Sequence, residues 1–276
     1  GLSGLDRPIC SETVHRMVEF NALTRASESE EITPSLLSMV LKHPQGSLKS
    51  IPPGAQKICL LNQADTDILA AQGVSIALEV LPFYDRVLIA SLKNREVKAC
   101  YQDVAAIILA AGGSSRFGQP KQLLHWRGKS FIRHAAMRAL EAGLSPLVVV
   151  LGAFGEEVKA EIVDLPLRFV YNPRWNEGQS TSIHTGLQAL DERCEACIFM
   201  LADQPQVTTR VLTSLVAEHR VTLAPIIAPL IGGQRGNPVL FDRKTFEDLL
   251  ATQGDQGGRA ICSHYPIHWL EWLDEA

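Results

Sequence analysis

The residues best equipped for chemistry lie between Val104 and Lys121, in VAAIILAAGGSSRFGQPK, where an apolar run breaks into glycine and serine and ends on a lysine. Gly112 and Gly113 lack a Cβ, so the backbone there can take positive φ, approach a ligand closely and turn its N–H groups toward an anion. Arg116 and Lys121 add two cations. Together they describe a phosphate cradle. Pro120 suits the first turn of a helix, whose positive end would then lie beside the same anion with Lys121. Two better-known phosphate loops do not fit. A Walker A loop needs Lys and then Ser or Thr after its last glycine, whereas Gly118 is followed by Gln119 and Pro120, and the dinucleotide fingerprint G-x-G-x-x-G is absent.

Two further stretches carry groups that a phosphate ligand could use. In Asn172-Pro173-Arg174-Trp175-Asn176-Glu177-Gly178-Gln179-Ser180-Thr181-Ser182, Gly178 ends a loop. The residues after it bring short side chains and free N–H groups to a helix start, able to hold a base, ribose or phosphate. In Ala202-Asp203-Gln204-Pro205, Asp203 follows an apolar strand. A carboxylate placed there suits a hard cation that bridges nucleotide phosphates, so Asp203 is assigned to Mg²⁺.

The elements that must position these groups alternate. Residues 104–109 read as a buried parallel strand, because six apolar residues without alternation suit a strand covered on both faces. Helices are expected over 130–143, 156–163 and 179–190, with strands at 147–151, 168–171, 197–201 and 239–241. That order predicts an α/β fold with a doubly wound, mostly parallel sheet of Rossmann-like type, in which ligands bind beyond the carboxyl ends of the strands.

A smaller α/β unit is expected over residues 1–97, ahead of the main domain at 98–276. Thr33-Pro34 starts a helix reaching about residue 41, and strands at 57–61 and 87–90 enclose a helix at 67–81. This βαβ order implies parallel pairing. The polar segment 94–103 is expected to be the connection between the units.

Composition narrows the function classes. The 276 residues are 46% hydrophobic and 20% charged, an ordinary globular balance, and no apolar run reaches the length of a membrane span. A net charge of −4 spread along the chain argues against nucleic acid as the main partner. Six cysteines in a chain of this size do not make a disulfide scaffold, and Cys194 and Cys197 form an isolated C-x-x-C without a second pair or a nearby histidine at zinc spacing. With no visible signal peptide, a cytoplasmic protein with reduced thiols is expected.

The pattern L-A-A-G-x-S-x-R-x-G-x-x-K closely resembles the signature of the MobA-like nucleotidyltransferases. Leu109-Ala110-Ala111-Gly112 is similar to the molybdenum cofactor cytidylyltransferases, whereas the guanylyl enzymes resemble Leu-Ala-Gly-Gly at that place. Asp203-Gln204-Pro205 matches the family's D-Q-P. Arg235-Gly236-Asn237-Pro238 resembles its Arg-Gly-His-Pro with Asn237 in place of histidine, and Gly254-Asp255-Gln256-Gly257-Gly258-Arg259 resembles its Gly-Asp-x-Gly-x-Arg. The likeness runs over residues 104–270.

What the resemblance implies is specific. Leu109, Ala110, Ala111, Gly112, Gly113, Ser114, Arg116, Lys121, Asn172, Gln179, Ser180 and Ser182 would line the nucleotide site. Arg116, Lys121 and Asp203 would carry catalysis, with Asp203 and Asp255 on Mg²⁺ and Arg235, Asn237 and Arg259 against the acceptor. The implied reaction joins CTP to the terminal phosphate of molybdopterin, giving molybdopterin cytosine dinucleotide and pyrophosphate. Use of GTP or a sugar phosphate on the same fold, or a carrier that binds the pterin without turnover, are the alternatives. The N-terminal unit resembles an accessory-protein family associated with selenium-dependent molybdenum hydroxylases, and its Asn62-Gln63-Ala64-Asp65 looks like a guanine-reading Asn-Lys-x-Asp with Gln63 in place of lysine. A molybdenum hydroxylase apo-enzyme is accordingly an expected partner.

Overall fold

The computed structural model describes residues 58–62, 86–91, 96–113, 120–191 and 194–272. The expected helices at 34–41 and 67–81, residues Gln63 to Asp65, and the site candidates Ser114 and Arg116 lie outside the described residues. Two compact units part between Gln102 and Asp103.

In the first unit β1 (Ile58–Asn62) pairs in parallel with β2 (Arg86–Ser91), as the βαβ pattern requires. The segment expected to be a connection is instead largely a strand, β3 (Glu96–Gln102), antiparallel to β2. Its charged residues suggested a linker, yet Cys100 and Tyr101 are buried, so the strand closes this small sheet at the end of the first unit.

The second unit opens on β4 (Val104–Leu109). A single 3-10 turn at Lys121–Leu123 follows, then a small hairpin of β5 (His125–Trp126) and β6 (Lys129–Ser130). Arg127 and Gly128, both at positive φ, turn that hairpin. Helix α1 (Phe131–Glu141) buries Ile132, Ala135, Ala136 and Ala139, a helical spacing, and the chain leaves it through Gly143 at φ +72°. Then come β7 (Leu147–Leu151), α2 (Gly155–Ala160), β8 (Arg168–Tyr171), a 3-10 turn at Trp175–Glu177, α3 (Gln179–Gln188) and β9 (Ala196–Leu201). Helix α4 (Thr209–Thr222) is capped by Thr208, whose hydroxyl accepts from the Val211 N–H at 3.4 Å. The chain closes with β10 (Ile226–Ile231), β11 (Gln234–Arg235), β12 (Val239–Asp242), α5 (Phe246–Leu250) and β13 (Ile267–Glu271).

The strands form one eight-stranded sheet in the order β11-β10-β12-β9-β4-β7-β8, with β13 beside β10. Strands β4, β7, β8 and β9 run parallel, and β12 is antiparallel to both neighbours, which makes the sheet mostly parallel as expected. Both faces are covered. Val104, Ala106 and Ile108 point into a core with α1, α2 and α4, while Ala105 and Ile107 point into a second core with α3 and α5. This two-sided burial is why these strands read as unbroken apolar runs. It also leaves the loops at the carboxyl ends of β4, β7 and β9 as neighbours along one rim.

Candidate active site

At that rim the loop after β4 has its carbonyls tied back one after another. Leu109 O accepts from Ala202 N at 3.3 Å and Ala111 O from Ala153 N at 3.2 Å. Gln122 Nε2 donates to Ala110 O at 3.4 Å and to Gly112 O at 3.2 Å. The Ala110 N–H is spent on Val150 O at 3.0 Å, but the N–H groups of Ala111, Gly112 and Gly113 have no acceptor among the described residues. Acceptors withdrawn and donors left over is the electrostatic condition for binding an anion.

The loop is also closely covered. A Cβ on Gly152 would run into the Ala111 carbonyl, so the loop after β7 must pass glycine-bare against the loop after β4. A Cβ on Gly113 would stand 2.8 Å from the Trp175 ring, which places the indole directly on that glycine. Lys121 is half-buried at the start of the one-turn 3-10 segment. Here the sequence expectation is corrected: Pro120 has an extended ψ of 118° and begins no α-helix. The Phe131 N–H takes the Leu124 carbonyl at 2.9 Å and folds the chain into the hairpin. One 3-10 turn supplies little macrodipole, so the positive charge that this segment carries is that of the Lys121 side chain and not of a helix end.

Asp203 lies one residue past Ala202, in the turn that follows β9, the strand adjacent to β4. Leu109 and Leu201 are paired in register, so Asp203 stands two residues beyond Leu201 just as Ala111 stands two beyond Leu109. Its side chain is exposed, and the cap of α4 is supplied by Thr208. The carboxylate is therefore not committed to capping α4, and it follows the strand that pairs with β4.

The stretch from Asn172 to Ser182 is built differently from expectation. Asn172 is buried and its Nδ2 donates to Thr181 Oγ1 and Ser182 Oγ, each at 2.9 Å, while its Oδ1 accepts from Arg174 N at 2.9 Å. Ser180 and Ser182 are buried as well. Nor are the N–H groups at the start of α3 free, because Ser180 N donates to Gly254 O at 3.0 Å and Thr181 N to Gly178 O at 3.3 Å. Asn172 and Ser182 thus brace the loop internally, and exposed Gln179 is the member of this group that reaches solvent.

Sequence-distant segments meet here. Gly178, at φ +118°, lies so close to Gly254 that a Cβ would strike the Gly254 carbonyl, and Gln179 Oε1 would be 2.6 Å from a Cβ on Gly257. The Gly-Gln-Ser and Gly-Asp-Gln-Gly-Gly segments therefore form one packed ridge, with Asp255 and Arg259 exposed upon it. Arg235 is half-buried and donates from Nη1 to Cys262 Sγ at 2.6 Å; Asn237 is exposed. Cys194 and Cys197 are buried, with the Cys194 thiol pushed up to about 11 by burial and Cys197 raised for the same reason.

No group of three or more His, Cys, Asp or Glu side chains suited to a metal occurs among the described residues. Asp203 and Asp255 are exposed hard oxygen donors, the chemistry that a divalent cation liganded mainly by phosphate and water takes from a protein. Gln122, 5% exposed, is the member of the site that sequence reasoning missed. A glutamine next to a lysine carries no pattern of its own.

A doubly wound sheet with a donor-lined glycine loop and an exposed carboxylate at the carboxyl ends of adjacent central strands defines the phosphate-binding class of α/β protein. Within that class, the chain belongs to the MobA-like NTP transferase domain family, whose profile matches residues 106–269. It is 30% identical over 175 residues to nicotine blue oxidoreductase of Paenarthrobacter nicotinovorans, a match covering 60% of this chain and 84% of that protein. It is 29% identical over 131 residues to a probable molybdenum cofactor guanylyltransferase of Bacillus mycoides, covering 48% of this chain and 64% of that relative. The crystal structure of Rv0371c from Mycobacterium tuberculosis H37Rv superposes with a TM-score of 0.56 at 27% identity, over 62% of this chain and 89% of that one. No helix among the described residues is long and apolar enough to cross a membrane.

Proposed function

We infer that the protein transfers a cytidylyl group from CTP to the terminal phosphate of molybdopterin. The observation that carries this reading is the glycine loop, whose carbonyls are tied back while the N–H groups of Ala111, Gly112 and Gly113 are left to a ligand, with Asp203 in the turn that follows the adjacent strand. In this mechanism an oxygen of the pterin phosphate attacks the α-phosphorus of CTP. The new P–O bond forms as the bond to the β-phosphate breaks and pyrophosphate leaves with the electron pair. The attacking phosphate is already anionic at neutral pH, so no strong general base is needed; the work is alignment and charge neutralisation. The loop N–H groups and Lys121 hold the leaving pyrophosphate, and Arg116 is assigned beside them from its place in the motif. A divalent cation, held by Asp203 with Asp255 as a second carboxylate, would supply Lewis acidity at the phosphates. Gln179 faces the nucleotide, and Arg235, Asn237 and Arg259 face the acceptor.

CTP is favoured over GTP by Ala111, where guanylyl enzymes resemble glycine; the relative named as a guanylyltransferase favours GTP. The test is a nucleotide panel with purified molybdopterin and magnesium, scored by pyrophosphate and by product mass. Cytidylyl product from CTP is expected. A guanylyl product would shift the reading to GTP, and pterin retention without pyrophosphate would make the protein a carrier. Because one relative is named an oxidoreductase, the panel includes a reduced nicotinamide dinucleotide, whose consumption without pyrophosphate would overturn transfer altogether.

A further inference from the structure

Gln122 is a buried amide whose two N–H bonds are spent on the carbonyls of Ala110 and Gly112 rather than on its own turn. In a trans peptide the C=O of one residue and the N–H of the next point in opposite directions. Holding the Ala110 carbonyl therefore aims the Ala111 N–H the other way, and holding the Gly112 carbonyl aims the N–H of Gly113. The Ala153 N–H does the same for Gly112 by gripping Ala111 O. Two of the three available donors of the loop are thus oriented by one side chain. The restraint matters most at the Gly112-Gly113 peptide, where no Cβ opposes a peptide flip.

We propose that Gln122 is the positioning residue of the phosphate cradle, presenting the loop N–H groups to the β- and γ-phosphates of the nucleoside triphosphate. It makes no contact with the reacting atoms. The proposal rests on the transferase reading above for the identity of the ligand. It rests on this chain's own hydrogen bonds for the role of the side chain. Gln122 shares its single turn with Lys121, so the donors and the cation of the cradle are set by the same short segment.

The experiment compares wild type with Gln122→Met, which has nearly the same length and no donor, and Gln122→Glu, which keeps the shape but sets carboxylate oxygens against two carbonyls. Three quantities are read: residue-resolved hydrogen exchange of the Ala153 amide without nucleotide, binding of CTP and CMP with magnesium, and thermal stability. In the Met variant, with Tm held within a few degrees, loss of two neutral hydrogen bonds is expected to weaken CTP binding roughly 10-fold or more and to speed Ala153 exchange. CMP, which lacks the β- and γ-phosphates, should lose far less. The Glu variant should regain Ala153 protection relative to wild type as pH falls through its carboxyl's pKa, which burial against two carbonyls raises above the ordinary glutamate value, because the protonated carboxyl can donate again. Unchanged Ala153 exchange in both variants, or equal losses for CTP and CMP, would overturn the proposal. Failure of the transferase reading looks different: wild type would bind neither CTP nor GTP, while the exchange comparison would still decide what Gln122 does. Should the Met variant not fold, the pH response of the Glu variant decides alone.

Discussion

The Ala202 amide donates to the Leu109 carbonyl at 3.3 Å, so the first residue beyond β9 is bonded to the last residue of β4. This bond fixes where Asp203 starts relative to the glycine loop. Replacing Asp203 by Ala or Asn is expected to lower turnover roughly 100-fold, the scale of losing one preorganised electrostatic group. Because the side chain is exposed and α4 is capped by Thr208, the Tm should not move. A magnesium titration of pyrophosphate release checks the role: the Asn variant should need more metal to reach its own maximum.

Lys121 is the described cation nearest in sequence to the loop, and its helix is a single 3-10 turn. Its charge is therefore not interchangeable with a helix dipole. Lys121→Ala should cost about 100-fold in kcat/KM, and Lys121→Arg should recover part of that loss by keeping a cation of different shape. Rates near wild type in Lys121→Ala would remove it from the mechanism.

Gly178 and Gly112 make opposite predictions, though both sit in motif loops. Gly178 has φ +118° and a Cβ there meets Gly254 backbone, which cannot swing aside like a side-chain tip. Gly178→Ala should destabilise the protein by roughly 1–3 kcal/mol, the usual cost of imposed backbone strain. A Cβ on Gly112 meets nothing within 4 Å, so Gly112→Ala should melt like wild type. Thermal denaturation of the two variants side by side is the check.

The central strands were readable because two-sided burial writes itself as an unbroken apolar run; Val104–Leu109 and Leu147–Leu151 fall where they were expected, as does the edge strand Arg168–Tyr171, where only Phe169 and Val170 are apolar and partly buried. Strands β10 and β13 were not anticipated, since Pro229 interrupts the first and His268 and exposed Glu271 dilute the second. At the site, residue types were legible but their partners were not. Asn172 and Ser182 look like ligand-binding groups in a motif, yet they spend their hydrogen bonds on each other, a pairing across a loop that spacing does not encode. The Ser180 amide was lost to Gly254, more than seventy residues away, for the same reason. Gln122 acts only through backbone carbonyls and so leaves no compositional trace.

Cys194 and Cys197 have the spacing of a redox or metal pair, but burial raises both thiols, Cys194 to about 11. Thiols held that far above neutrality are protonated and poor nucleophiles. Native protein treated with iodoacetamide at pH 7.5 should leave both unmodified, as read by peptide mass spectrometry, and both should react once the protein is unfolded. Rapid native alkylation of Cys197 would show that β9 opens, and of Cys194 that the segment leading into β9 does.

Acid stability should carry the signature of Asp242, at the end of β12. Burial would raise its carboxyl, but a hydrogen bond from His219 Nε2 at 3.0 Å and another from the Lys244 N–H at 3.0 Å outweigh burial and hold it below the usual carboxylate range. A carboxyl that is more acidic in the folded chain than in the unfolded one stabilises the fold above the unfolded value of about 3.9, and that contribution drains away as pH falls through the lower folded value. Asp242→Asn keeps an oxygen that can cap the Lys244 N–H but removes the charge and the second acceptor that His219 Nε2 uses. Its Tm should therefore lie below wild type at pH 7 and converge toward it as pH approaches 3. A gap that stays constant across that range would mean that the ionised carboxylate contributes nothing beyond its hydrogen-bond geometry.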